Sequence, residues 1–142
     1  MADDFYEIMR DSGAELHELI DRERWQEMQS WREVFAAPYH NETGKWKRGK
    51  YEWHIFSFNH TPSISCEKAL TRYQAQPVEK YYVVPEGGIL TAYLCVGGRL
   101  PNLRLLLEDI YVWPDDLSWT MAFTHEMDVW LGPYFCLREW IS

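Results

Sequence analysis

The order of apolar and polar positions divides the chain into a helical front and a strand-rich back. Phe5, Ile8 and Met9 fall at i, i+3 and i+4, and Asp11-Ser12-Gly13 then ends a short amphipathic helix. Ser12, with Glu15 three residues later, has the capping-box signature and predicts the start of a second helix. Its apolar face runs through Leu16, Leu19 and Ile20, crosses the charged stretch Asp21-Arg22-Glu23-Arg24, and continues in rotated phase at Trp25, Met28, Trp31 and Phe35. That rotation predicts a bend or break near residues 21–24. Pro38 closes the segment, and the polar, Gly- and Lys-bearing residues 39–50 read as an exposed connection.

Beyond residue 50 the pattern changes. Tyr51 to Phe58 carries aromatic and β-branched residues on both parities, which fits a central strand buried on both faces. Thr61-Pro62-Ser63 breaks it, and Ser65 is a fitting N-cap for a helix through Ala69, Leu70 and Tyr73 that ends before Pro77. Lys80 to Val84 predicts a strand stopped by Pro85-Glu86-Gly87-Gly88. Ile89 to Val96 is read as another strand, with a short buried helix as the other option, and Pro101 to Leu107 as a short helix with proline near its start. Asp109 to Trp113, the turn Pro114-Asp115-Asp116-Leu117, and Ser118 to Thr124 spell the clearest hairpin. In its second strand Trp119, Met121 and Phe123 share one face. Tyr134 to Leu137 is the expected last strand.

These elements predict one α+β domain over residues 1–142, with a helical part at 1–38 and a sheet-containing part at 51–142. The expected architecture is a mainly antiparallel sheet of about five strands, with the N-terminal helices packed on one face.

Composition adds weight to the aromatic positions: eight Trp, nine Tyr and six Phe supply large, stiff side chains for a core or an interface. The formal charge of −8 opposes unspecific attraction to nucleic acid or anionic membranes and suits a basic partner. That charge sits at the ends, since residues 1–42 and 105–142 are strongly acidic and the middle is mildly basic. The first residues have neither a basic nor an apolar leader region, and the apolar run Ile89 to Val96 is far too short to span a bilayer. A cytoplasmic location is therefore expected, and the sequons at Asn41 and Asn59 are incidental. Cys66, Cys95 and Cys136 are too scattered for a disulfide framework or a structural zinc site.

Several ordered motifs carry a resemblance. Trp53-His54-Ile55-Phe56-Ser57-Phe58, Cys66-Glu67 with Ala69, Tyr81-Tyr82-Val83, Asp109-Ile110-Tyr111-Val112, Trp119-Thr120 with Thr124-His125-Glu126, and Gly132-Pro133-Tyr134-Phe135 follow one another in that order. Over roughly residues 31–136 the chain resembles a family of small bacterial proteins known only as a domain of unknown function. The resemblance implies a bacterial single-domain protein and brings no catalytic residues with it.

Four groups of residues could carry chemistry. Thr124-His125-Glu126 is the most enzyme-like, because a strand-end His beside a carboxylate can act as a general base; the competing reading is a His that caps the sheet edge. Cys66 stands at a predicted helix start, where a thiolate is favoured, with His54 or His60 as its base; the competing reading is a small buried hydrophobe. Lys45 to Tyr51 interleaves basic and aromatic residues as single-strand binders do, or is a solvated loop. The acidic, aromatic C-terminal set comprises Glu108, Asp109, Trp113, Asp115, Asp116, His125, Glu126, Asp128 and Trp130, a composition able to recognise a basic protein. No His spacing points to a metal, and no cofactor is expected. The expected function is a non-enzymatic cytoplasmic binding protein, most concretely an immunity-type protein that neutralises a toxin with a basic surface. The alternative is a small hydrolase-like enzyme using His125 and Glu126, or a Cys66–His pair.

Overall fold

A computed structural model of the chain describes residues 2–141. Its frame is a seven-stranded sheet in which every neighbouring pair is antiparallel. The strands in chain order are β1 (Glu15–Glu18), β2 (Ile64–Ser65), β3 (Lys80–Pro85), β4 (Tyr93–Val96), β5 (Ile110–Pro114), β6 (Trp119–Phe123) and β7 (Tyr134–Leu137). They lie across the sheet as β1-β4-β3-β5-β6-β7-β2. The helices are α1 (Ala2–Asp11), α2 (Asp21–Phe35), α3 (Ala37–Thr43), α4 (His54–Ser57) and α5 (Cys66–Gln74). The α+β class and the antiparallel sheet agree with the sequence pattern. Among the described residues no helix is long and apolar enough to cross a membrane.

Strand alternation sorts the side chains into two cores. Tyr81, Val83, Ile110, Val112, Trp119, Met121, Phe123 and Phe135 meet Phe5 and Met9 of α1 and Ala69, Leu70 and Tyr73 of α5. Their neighbours Tyr82, Val84, Tyr111, Trp113, Ala122, Tyr134 and Cys136 meet Met28, Trp31 and Phe35 of α2, Tyr39 of α3, and Ile55 and Phe56 of α4. Helices therefore cover both faces, where the sequence predicted one. The reason is visible in β3, β5 and β6, whose residues are buried on both parities. Such strands need a cover on each side.

Four local expectations are corrected. Ser12 does not cap a second helix: its hydroxyl donates to the Met9 carbonyl at 2.7 Å and closes α1, and Glu15–Glu18 forms β1 against β4. The acidic front of the chain thus contributes an edge strand to the sheet. The bend or break expected near 21–24 is a break: β1 ends at Glu18 and α2 begins at Asp21, with Glu23 accepting the Ile20 N–H at 3.1 Å. Tyr51 to Phe58 is not a strand: Trp53, Ile55 and Phe56 all enter the same core, which a strand would split between faces, and the backbone turns into α4. Only Tyr93–Val96 of the 89–96 run pairs as a strand, and only Arg104–Leu106 of the 101–107 segment is helical, as one 3₁₀ turn. With 51–58 lost from the expected strands, five remain as β3 to β7, and β1 and the two-residue β2, neither of which has a hydrophobic run of its own, bring the sheet to seven.

Candidate functional site

The most ordered polar cluster lies at the end of the sheet where β5 begins and β6 ends. Register makes it so: Ile110 pairs with Phe123, so Asp109 and His125, just outside the paired ends, are brought side by side. The Asp109 carboxylate accepts the His125 backbone N–H at 3.0 Å, the His125 Nδ1–H at 2.9 Å and the Trp53 Nε1–H at 2.8 Å. Its side chain is only 12% exposed. With Nδ1 donating to a carboxylate, Nε2 is the free, outward nitrogen, and it faces Glu126 Oε2 at 3.6 Å. Tyr51 and Trp53 pack around the imidazole, with ring centroids 4.9 and 6.1 Å away, and His54 lies 4.2 Å from the Trp53 ring. Burial pulls the His54 pKa down, while the negative charge of Glu126 opposes that shift. Among the described residues no hydroxyl or thiol is hydrogen-bonded to His125 Nε2.

From this pair the network runs inward. Trp53 N–H donates to the Tyr111 hydroxyl at 3.0 Å, which donates to Glu86 Oε1 at 2.6 Å. Glu52 N–H donates to the same Glu86 oxygen at 3.1 Å, and Lys47 Nζ approaches Glu86 Oε2 at 3.2 Å. Glu86 N–H donates to the Asp109 carbonyl at 2.8 Å, tying the end of β3 to the start of β5. Arg32 of α2 donates through Nε and Nη2 to Glu52 Oε2. Residues 51–54 are thereby fastened across the sheet end, which explains why a stretch with strand-like composition turns there.

Glu86 has a pKa raised from the ordinary carboxylate range, first by burial, with the Tyr111 hydrogen bond pulling the other way. Between the ordinary value and the raised native one the folded state holds more proton than the unfolded state, so this residue makes stability fall as pH rises through that window. Glu86→Gln keeps an acceptor for Tyr111 and Glu52 and loses only the half-exposed contact with Lys47. The variant is expected to lose less stability than the wild type as pH rises through that window. Urea unfolding at several pH values measures this, and parallel curves for the two proteins would exclude it.

The structure divides the nine acidic and aromatic positions singled out by sequence. Asp109, His125 and Glu126 come together, with exposed Glu108 beside them and exposed Asp128 and Trp130 on the following loop. Asp115 and Asp116 lie in the turn at the opposite end of the β5–β6 hairpin, where Asp115 accepts the Tyr82 hydroxyl and Asp116 accepts the Ser118 N–H. Trp113 is 1% exposed and packs against Trp31 and Tyr82. It is a core residue, because its parity on β5 points it under α2.

Cys66 does head α5 as expected, but its Sγ lies 3.6 Å from the Gly132 carbonyl. Neither proposed base is bonded to it: His54 Nδ1 pairs with Ser57 Oγ at 3.2 Å, and His60 packs on Tyr39. In the basic stretch, Lys47 is paired with Glu86, Arg48 lies over Phe58, and Trp46 stacks on His40. Among the described residues no group of three or more His, Cys, Asp or Glu could hold a metal ion. The sequence reading missed Glu52, Trp53, Glu86 and Tyr111 as parts of one network. Glu86 stood in a turn motif and Trp53 in a predicted strand, so nothing local joined them.

A search of curated proteins and a search of solved structures found no match to the chain. The family model described as Domain of unknown function (DUF4275) matches residues 18–135, which takes in the end of β1 and every element from α2 to the start of β7, and the chain belongs to that family.

Proposed function

We propose that this protein is a non-enzymatic binding protein that docks a basic protein partner through the loop at 125–131. Its most concrete form is an immunity-type protein of the bacterial cytoplasm that occludes a toxin's basic surface. The observation that carries this reading is Trp130, 80% exposed at the tip of the loop, with Val129 and Leu131 also exposed and Glu126 and Asp128 alongside. Trp130 holds φ at 68°, a left-handed backbone that a bulky residue adopts only where its surroundings impose it. They do so here: Val129 N–H and Leu131 N–H both donate to the Glu126 carbonyl, Trp130 N–H donates to the Met127 carbonyl, and Thr124 Oγ1 donates to the Leu131 carbonyl. An anchor already fixed in place loses little freedom on binding. The formal charge of −8 adds attraction toward a basic partner and a penalty against acidic ones.

The oriented His125 favours a second reading, a hydrolase-like enzyme using His125 with Glu126. The two readings separate by mutation. With immobilised protein and cell extract from the native organism, the partner is identified by mass spectrometry, purified and titrated. Trp130→Ala is expected to weaken it by about 30-fold or more, the loss typical of a hot-spot aromatic, and Asp128→Lys to weaken it and flatten its salt dependence. Neither change should lower the melting temperature, since both side chains are exposed. Equal affinity for wild type and Trp130→Ala would refute docking through this loop, and a hydrolytic activity abolished by His125→Ala would establish the enzyme instead.

A further inference from the structure

A basic segment borders the acidic Trp130 loop in space. Residues 45–50 hold Lys45, Lys47, Arg48 and Lys50 and no acidic residue, whereas residues 125–131 hold Glu126 and Asp128 and no Lys or Arg. Distant in sequence, the two segments meet one aromatic shelf at the sheet end. On the basic side Lys50 Nζ lies 5.4 Å from the Tyr51 ring centre, and Arg48 Cζ stands 4.1 Å over Phe58. On the acidic side Tyr51 packs on His125 at 4.9 Å. His54 joins the two, 5.6 Å from both Tyr51 and Phe58 and within the field of Arg48 and Glu126 alike.

Each half of this face also carries an exposed ring: Phe58, 51% exposed, beside Arg48, and Trp130 close to Asp128. Such a face is complementary to itself. Under a two-fold axis lying between the halves, the acidic half of one copy meets the basic half of the other, twice over. Trp130 of each copy is then set against Phe58 and the Arg48 guanidinium of the other, contacts of the kind that dominate protein interfaces. Lys47 adds little, since Glu86 holds it, but Lys45 and Lys50 are exposed. The formal charge of −8 on each copy opposes approach at long range. That repulsion is screened beyond about 8 Å at physiological salt, and the surfaces that touch are the two whose signs differ.

We propose that this face pairs with a second copy of the chain, in a two-fold dimer in which the 125–131 loop of each copy lies against the 45–50 segment of the other. The pairing rests on the reading of 125–131 as a docking loop and names what occupies it when the protein is alone.

The test measures self-association of the whole chain by sedimentation velocity, from about 1 μM to 1 mM. A closed monomer–dimer equilibrium with a dissociation constant on the order of 10 μM is expected, weakened about 30-fold by Trp130→Ala. Asp128→Lys and Lys50→Glu change exposed side chains, and each alone should weaken pairing by about tenfold. Mixed in equal amounts they should pair about as tightly as wild type, because one half of the mixed interface keeps its signs and the other exchanges them. The mixed dimer carries the same total charge as the wild-type one, so this recovery reports the matching of the loops and not a change in net repulsion. A monomer up to about 1 mM, growth beyond a dimer, or a mixture no tighter than the single variants would each overturn the proposal. So would a dimer indifferent to Trp130→Ala. A monomeric wild type would leave the face to a basic protein, and the docking reading would then stand or fall on Trp130→Ala titrated against that partner.

Discussion

Trp31→Ala is expected to lower the unfolding free energy by about 4 kcal/mol, from the loss of a fully buried indole and the cavity left behind. Trp31 is the point at which α2 is keyed to the sheet. Its rings lie 5.3 Å from Tyr111, 5.6 Å from Phe35, 6.2 Å from Phe56 and 6.3 Å from Trp113, centroid to centroid. Its Nε1–H donates at 2.9 Å to Thr120 Oγ1, whose own hydroxyl donates to the Val112 carbonyl at 3.0 Å. Few neighbours could move to fill the hole, because they are themselves large, stiff rings on strands and a second helix. Trp31→Phe keeps most of the ring and loses the N–H, so it should cost roughly 1–2 kcal/mol, leaving Thr120 with its donor role intact. Urea unfolding of the three proteins, read by far-UV circular dichroism, gives both differences. For a domain whose total stability is of order 5–15 kcal/mol this loss is a large share of the whole. A loss below about 2 kcal/mol would mean that α2 is held to the sheet elsewhere.

The parts of the fold that could be read from sequence are those whose instructions are local. The β5–β6 hairpin announces itself through Pro114-Asp115-Asp116 and the alternation of Trp119, Met121 and Phe123, and α5 through Ser65 and the Ala69, Leu70 and Tyr73 face. The misread parts answer to distant partners. Ser12 and Glu15 match a capping box, but Gly13 at φ 77° turns the chain, and the Ser12 carbonyl accepts the Arg99 N–H at 2.8 Å from a strand connection far along the sequence. Gly98 completes that junction: a Cβ there would lie 2.3 Å from Ala14 N, so only glycine lets β1 and β4 meet in this way. Residues 51–58 likewise turn because Glu86 and Tyr111 accept the backbone N–H groups of Glu52 and Trp53 that a ladder would otherwise have satisfied.

The candidate site divides in the same way. The pairing of Asp109 with His125 was within reach of the sequence, since an antiparallel hairpin sets the residue before its first strand beside the residue after its second. The exposure of Trp130 and the burial of Trp113 were not, because aromatic content does not tell depth. Glu52 illustrates the same limit from the polar side: it stood in a stretch read as a buried strand, and nothing local showed that Arg32, twenty residues earlier, would hold its enclosed carboxylate.

Asp109→Ala should be the most damaging single change at the sheet end, costing about 3 kcal/mol, because it strands three donors at once. They come from different segments: the Trp53 indole, the His125 backbone and the His125 ring. The Trp53 N–H suffers most, as Trp53 is fully buried and water cannot replace the carboxylate there. His125→Ala removes one partner from a residue that is about a third exposed, so about 1 kcal/mol is expected, with the Trp53 and backbone bonds to Asp109 kept. The order of the two losses separates two roles for the pair. If Asp109 anchors the loop, Asp109→Ala is much the worse for stability, and limited proteolysis at 125–131 accelerates in that variant while His125→Ala stays near wild type. If the carboxylate serves only to orient His125, the two variants should be similarly stable and similarly protected, because each then removes the same single interaction. The anchoring outcome would also make Trp130 presentation depend on Asp109, so that Asp109→Ala weakens partner binding with the Trp130 side chain itself untouched, through the freedom its loop would regain in the unbound protein.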